Sequence, residues 1–235
     1  MSLRRRTFLL AAAAAAVAPA AVRAAVTDQV LKIAMPDGAV LDVWVIYPDG
    51  YDPTKPIPAV LALPPGTQDL SMVDANFSWW APEALRRGWL TIGPAAPEGQ
   101  SFARTSRPLL GPLLEELLKR FNVAGGKFHV AGQSNGGNSG FALALDHPDK
   151  VRSLTVLAGY PPEGAASADF GKLTHLPINM FVGEFDAQYM EPMIAARDAL
   201  RAAGARPRFW VVPQTGHVLN QFKREGAYPL FALME

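Results

Sequence analysis

The chain has 235 residues, 49% of them hydrophobic and 18% charged, with no cysteine. Its formal net charge of +1 gives no electrostatic ground for a nucleic-acid or anionic-membrane partner. Without cysteine there is neither a disulfide framework nor a thiolate metal site, so stability must come from a packed apolar core.

Residues 1–24 read as an export signal rather than as part of the fold. Arg4-Arg5-Arg6-Thr7-Phe8-Leu9 is a basic start, an alanine-rich and weakly apolar stretch follows, and residues 18–24 supply small side chains suited to cleavage. Paired arginines followed by x-Phe-Leu resemble the twin-arginine signal. That implies the Tat export machinery as the partner of residues 1–24 and a periplasmic or secreted location. Residues 8–22 give only 15 uncharged positions, short of the roughly 18 that a membrane-spanning helix needs, so no stable membrane anchor is expected. The four arginines of this segment account for the slight basicity. Residues 25–235 carry 18 basic and 21 acidic side chains, a net charge of −3, and have the length of one domain with a full core.

Strand and helix signals then alternate. Residues 30–33 and 39–47 flank Met35-Pro36-Asp37-Gly38, the pattern of an antiparallel hairpin. After a Pro/Asp-rich loop, Ala59-Val60-Leu61-Ala62-Leu63 is wholly apolar, as suits a strand covered on both faces, and ends at Pro64-Pro65-Gly66. Pro82 is a favoured first helical residue and Gly88 a stop, which predicts a helix between them. Residues 89–92 form the next strand, and leucines at helical spacing predict a helix over 109–121. A strand at 128–131, a helix at 138–146 and a strand at 154–157 follow. Residues 160–176 are a Pro/Gly/Ala-rich excursion, too short for a large lid. A strand at 178–182, a helix at 191–203, a strand at 208–212 and a closing helix within 221–234 complete the chain. This alternation implies a mostly parallel α/β sheet with helices on both faces, whose active groups sit at the carboxyl ends of the strands.

Between the strand at 128–131 and the helix after it stands Gly132-Gln133-Ser134-Asn135-Gly136. A serine hydroxyl becomes a useful nucleophile only when held exposed beside a base and near donors for an oxyanion. A Gly-x-Ser-x-Gly turn from strand to helix provides that exposure. Four histidines could supply the base. His129 lies inside a strand, His147 at a helix end before a proline, and His175 at the amino end of a strand. His217 follows the last strand, on the same edge as Ser134. A carboxylate must orient that imidazole, and Asp186, one strand earlier, can turn back to it; Glu184 is the alternative.

Ser134, Asp186 and His217, in that order and with the serine on its elbow, resemble the α/β-hydrolase fold along essentially the whole of residues 25–235. Within that superfamily the chain is similar to small secreted esterases related to polyhydroxybutyrate depolymerases and feruloyl esterases. The resemblance implies hydrolysis of small or polymeric carboxylic esters through a Ser-His-Asp triad and an acyl-enzyme, with no cofactor and no metal. Alternatives on the same fold are a serine peptidase, an acyltransferase or a non-catalytic binding homologue. One oxyanion donor is the backbone N–H of Asn135. Many such esterases carry a His-Gly-Cys-Thr-Gln-like segment where this chain has Pro64-Pro65-Gly66-Thr67-Gln68. Prolines have no N–H, so the second donor falls to Gly66 or Thr67, and alignment with the family segment selects Gly66. Trp79, Trp80, Phe102, Tyr160, Phe185 and Tyr189 are the aromatics near the carboxyl edge, with Trp79, Tyr160 and Phe185 taken as substrate contacts.

Overall fold

Thr27–Ala34 (β1) and Val40–Tyr47 (β2) pair antiparallel. Their turn is closed by the Gly38 N–H on the Met35 carbonyl and the Met35 N–H on that of Ala39. In the computed structural model, residues 27–162, 164–165 and 167–235 are described; the signal expected for 1–24 lies outside them. The elements that follow are Ala59–Leu63 (β3), Leu70–Arg86 (α1), Leu90–Pro94 (β4), Leu110–Arg120 (α2), Phe128–Gln133 (β5), Asn135–Asp146 (α3), Val151–Leu157 (β6), Ser167–Phe170 (α4), Ile178–Gly183 (β7), Ala187–Ala202 (α5), Arg208–Val212 (β8) and Tyr228–Ala232 (α6).

The described residues form one eight-stranded sheet in the order β1-β2-β4-β3-β5-β6-β7-β8. β1, β2 and β4 pair antiparallel, and every pairing from β4 through β3 to β8 is parallel. The apolar runs explain the order. β3, β4 and β5 are buried at every position, as strands covered on both faces must be, and they lie at the sheet's centre. Among the described residues no helix is long and apolar enough to cross a membrane.

The helix expected to open at Pro82 begins instead at Leu70. Asp69 caps it, its carboxylate accepting the N–H groups of Ser71 at 2.9 Å and Met72 at 3.1 Å. These bonds, led by that from the Ser71 hydroxyl, hold the Asp69 carboxyl down at about 2. Pro82 stands inside the helix and costs it one backbone bond. Burial of Val73, Phe77, Trp79, Trp80 and Ala84 along one side offsets that loss. Likewise α3 and α5 each start earlier than the apolar spacing indicates, at Asn135 and Ala187, because each follows directly from a strand-end loop. The closing segment is 3-10 turns and the short α6, tied to α1 where Arg87 bridges buried Glu83 and Glu235.

His129 is a core residue, as its place inside a strand suggests. It is 3% exposed, stacks on Trp89 with ring centroids 4.5 Å apart and meets the Ser153 hydroxyl at 2.8 Å through Nδ1. Burial, with a smaller push from Arg152, lowers its pKa from the ordinary 6.5 to about 4. The unfolded chain therefore binds a proton that the folded one refuses between those two values. Stability is full above pH 6.5 and falls as the pH drops toward 4, by about 3 kcal/mol from this group. Urea unfolding from pH 7 to pH 4 should show His129→Gln losing less stability than the parent over that window. Equal acid loss in the two proteins would refute the assignment.

Candidate active site

β5 ends at Gln133 and the chain turns into α3 at Ser134, which has φ 54° and ψ −122°. A non-glycine residue in such a conformation stores about 1–3 kcal/mol of strain, and it persists only where the surroundings over-determine it. Here the Ser134 N–H donates to the Leu157 carbonyl at 2.9 Å, and its carbonyl accepts the Asn138 N–H at 3.0 Å. The two glycines of the motif answer to sterics. A Cβ on Gly132 would lie 2.4 Å from the Gly136 backbone, and one on Gly136 would lie 2.1 Å from the Leu63 carbonyl oxygen. Only hydrogen fits at either place.

The three polar residues singled out from the sequence come together. His217 Nε2 is 2.9 Å from Ser134 Oγ, and its Nδ1 is 2.8 Å from Asp186 Oδ2. A carboxylate can only accept, so in the neutral imidazole Nδ1 carries the proton and Nε2 accepts from the serine hydroxyl. The Asp186 side chain is 5% exposed, whereas that of His217 is 38% exposed. The acid is thus dry while the base faces the opening. Glu184, the alternative acid, is exposed and accepts the Gln214 N–H at 2.8 Å. It fastens the histidine loop instead of touching the histidine. The Glu184 N–H on Val212, the Phe185 N–H on Thr215 and the Gln133 side-chain amide on the His217 carbonyl bind the same loop.

The segment after β3 faces Ser134 from the other side. Asn135 Nδ2 donates to the Gly66 carbonyl at 2.7 Å, and Gly66 has φ 58°. Among the described residues, neither the Gly66 N–H nor the Asn135 N–H donates to a protein acceptor. Gln68 holds this segment from beneath. Fully buried, it donates through Nε2 to the Pro64 carbonyl at 2.8 Å and to Ser139 Oγ at 3.1 Å, and it accepts the Phe102 N–H at 2.9 Å. Asn76 adds a bond to the Leu63 carbonyl at 3.2 Å. The sequence gives neither Gln68 nor Asn76 a task, since a lone amide carries no periodic signal.

The aromatic side chains lie at different depths. Trp79 is 5% exposed within α1, its indole N–H on the Leu219 carbonyl at 3.2 Å and its ring beneath Lys223. It packs in the core, on the apolar side that α1 turns to the sheet. Trp80 and Phe102 are wholly buried. Phe185 is 68% exposed beside Asp186, and half-buried Tyr160 packs on Tyr189 at 5.4 Å. Tyr189, not among the three favoured, reaches Ser134: its hydroxyl is 3.2 Å from Oγ and its ring centroid 4.4 Å from that of His217. Its signal was spacing, since the third residue after Asp186, in the first turn of α5, returns to the acid's side.

A cavity of about 730 Å³ is lined by Ala103, Arg104, Arg107, Asn138, Tyr160, Pro161 and Pro162 and meets the cluster through Tyr160, which packs on Tyr189. A larger one of about 830 Å³ lies between α1 and the closing segment and contains none of the site residues, so its size does not connect it to the chemistry. Among the described residues no three His, Cys, Asp or Glu side chains gather as metal ligands.

In solved structures the same arrangement of elements recurs. A CE1 ferulic acid esterase from Anaeromyces mucronatus superposes with a TM-score of 0.68 at 16% identity, over 87% of this chain and 88% of that one. The S-formylglutathione hydrolase FrmB of Staphylococcus aureus gives 0.68 at 13%, over 90% and 100%. The chain has the α/β-hydrolase fold. No family model matches it. In sequence it is similar to the "Putative carbamate hydrolase RutD" of Caulobacter vibrioides, 33% identical over 91 residues, which cover 35% of this α/β-hydrolase-fold chain. The match spans about a third of that relative's length, 33%.

Replacing Gln68 by alanine removes bonds at a fully buried point and leaves the Pro64 carbonyl and the Phe102 N–H without partners. Denaturant unfolding of Gln68→Ala should show a loss of about 2–4 kcal/mol. A change below 0.5 kcal/mol would mean that the segment after β3 holds its shape without Gln68.

Proposed function

We propose that this protein is a serine hydrolase of carboxylic esters, acting through a Ser134–His217–Asp186 triad and an acyl-enzyme. The observation that carries the reading is the unbroken hydrogen-bonded line from a buried carboxylate through one imidazole to a serine held at positive φ in front of a helix. Ser134 Oγ attacks the ester carbonyl carbon as His217 Nε2 takes its proton. The imidazolium formed is stabilised by Asp186 and returns the proton to the departing alcohol. Water then repeats the sequence on the acyl-enzyme and frees the acid.

Negative charge on the carbonyl oxygen is met by the N–H groups of Asn135 and Gly66, each worth up to about 3–4 kcal/mol in the transition state. The Asn135–Gly66 bond favours Gly66 over Thr67. With the Gly66 carbonyl turned to Asn135, the N–H of the same trans peptide, that of Thr67, points the opposite way. The positive end of α3 adds to the same field. The cavity bounded by Tyr160 and Asn138 takes one arm of the ester, and the exposed apolar side chains of Phe185 and Val218 flank the triad's opening. The likeness to proteins named esterase and hydrolase agrees with this reading. Residues 25–235 act as one domain, and residues 1–24 direct export through the Tat machinery. On that reading, changing Arg5 and Arg6 together to lysine should leave the protein in the cytoplasm on cell fractionation.

A p-nitrophenyl ester series from acetate to palmitate, with feruloyl esters and a carbamate added, tests the chemistry. Activity present in the parent and reduced at least about 10⁴-fold in Ser134→Ala is expected. Asp186→Asn should lower kcat about 10⁴-fold, while Glu184→Gln stays within about tenfold of the parent. Hydrolysis indifferent to Ser134, or turnover of none of these substrates, would refute the esterase reading in favour of a peptidase, an acyltransferase or a binding role.

A further inference from the structure

Among the described residues Ser134 Oγ has two hydrogen-bonding partners, and only one of them belongs to the triad. The second is the Tyr189 hydroxyl at 3.2 Å. Tyr189 is 8% exposed, its ring lies against those of His217 and Tyr160, and its N–H is bonded to the Asp186 carbonyl at 3.1 Å. The hydroxyl is therefore held in place, not swept there by a loose side chain. The direction of its hydrogen bond follows from proton counting. Asp186 accepts, so Nδ1 of His217 donates and Nε2 accepts; the single proton of Ser134 Oγ goes to Nε2. Between Tyr189 and Ser134 the tyrosine must donate.

We propose that Tyr189 is a catalytic donor to Ser134 Oγ whose main effect is on deacylation, the step in which that oxygen is the leaving group. The inference rests on the esterase reading above. In the free enzyme Oγ is an alcohol oxygen and already a good acceptor, so attack on the ester gains little from the bond that Tyr189 makes before and during it. In the acyl-enzyme Oγ is the bridging oxygen of an ester, a poor acceptor because its lone pair is delocalised into the carbonyl. Water adds to the carbonyl carbon and gives its proton to His217 Nε2. When the tetrahedral intermediate collapses, the C–Oγ bond breaks and its electron pair passes to Oγ, which takes the proton back from Nε2. Negative charge grows on Oγ during this collapse, and the Tyr189 bond strengthens with it. Only interactions stronger in the transition state than in the ground state accelerate a step, so the donor discriminates between the two halves of the reaction. Tyr189 keeps its own proton throughout.

The test is Tyr189→Phe, which keeps the ring against His217 and removes the oxygen, studied by stopped-flow hydrolysis of p-nitrophenyl acetate. The expected result is a deacylation rate, and with it kcat, lowered about tenfold or more. KM should fall in proportion, so that kcat/KM stays within about threefold. Acetylated Ser134 should accumulate, seen as a larger p-nitrophenol burst and in the intact mass. Labelling by a fluorophosphonate, which needs attack but no deacylation, should proceed within about threefold of the parent, showing a folded variant with a working triad. Equal losses in kcat and kcat/KM without accumulation of acyl-enzyme would overturn the proposal, as would an unchanged kcat. A variant that fails to label would make Tyr189 structural and overturn it too. If the parent itself shows no turnover that depends on Ser134, the esterase reading falls and this inference with it; Ser134-dependent turnover left unaltered in Tyr189→Phe removes this inference alone.

Discussion

Three backbone segments meet at the end of β5 with no side chains between them. The start of α3 lies on the last turn of its own strand at Gly132, and it lies on the carbonyl of Leu63, from the neighbouring strand, at Gly136. That contact fixes where the helix begins, and so the angle at which the chain must turn. The turn is too sharp for an ordinary conformation, which is why Ser134 sits at positive φ. The strain is local, and the burial of β3 and β5 on all sides supplies the rigid frame that sustains it.

From that fixed point the remaining groups are placed by loops that are tied to one another more than to the sheet. The acid loop and the base loop exchange backbone and side-chain hydrogen bonds through Glu184, Phe185, Gln214 and Thr215. The segment after β3 is tied to the elbow by Asn135 and propped by Gln68. Charge is arranged to match. A nearly dry carboxylate sits behind the imidazole, the helix start lies ahead of the serine, and the tyrosine hydroxyl stands at its flank. In the reaction proposed above, negative charge that moves from serine to carbonyl oxygen, and later back to the serine, meets oriented dipoles at each position without water having to rearrange.

How much of this could be read from the chain depended on whether the feature is periodic or solitary. β3, β5 and β8 stand out as apolar runs between turn residues. The Gly-x-Ser-x-Gly elbow is legible because its glycines are steric requirements, and His217 was reached by elimination among four histidines. Asp186 was favoured over Glu184 by loop length, and the geometry puts Asp186 on the imidazole. Helix starts were less legible. Pro82 has the look of an opening residue, yet α1 reaches back to Asp69 because Trp79 and Trp80 need burial. Gln68 and Asn76 are single buried amides whose partners are backbone carbonyls distant in sequence, and no local pattern announces such a bond. Tyr189 could be placed only once the end of β7 and the start of α5 were fixed in space.

His217 follows an edge strand of the sheet. Among the described residues β8 is one of two edge strands: it pairs only with β7, ends in the loop that bears His217, and has one buried position in five. The stack of Trp210 on Phe181, 4.5 Å apart and nearly coplanar at 10°, fastens it to β7. Serine and acid belong to more deeply covered strands. An edge strand of this kind can detach while the interior of the sheet stays intact, and when it does His217 leaves Ser134 before the domain loses its shape. On the reading proposed above, catalytic competence is then a property of the margin of the fold rather than of its centre, and it is lost in denaturant before the sheet melts.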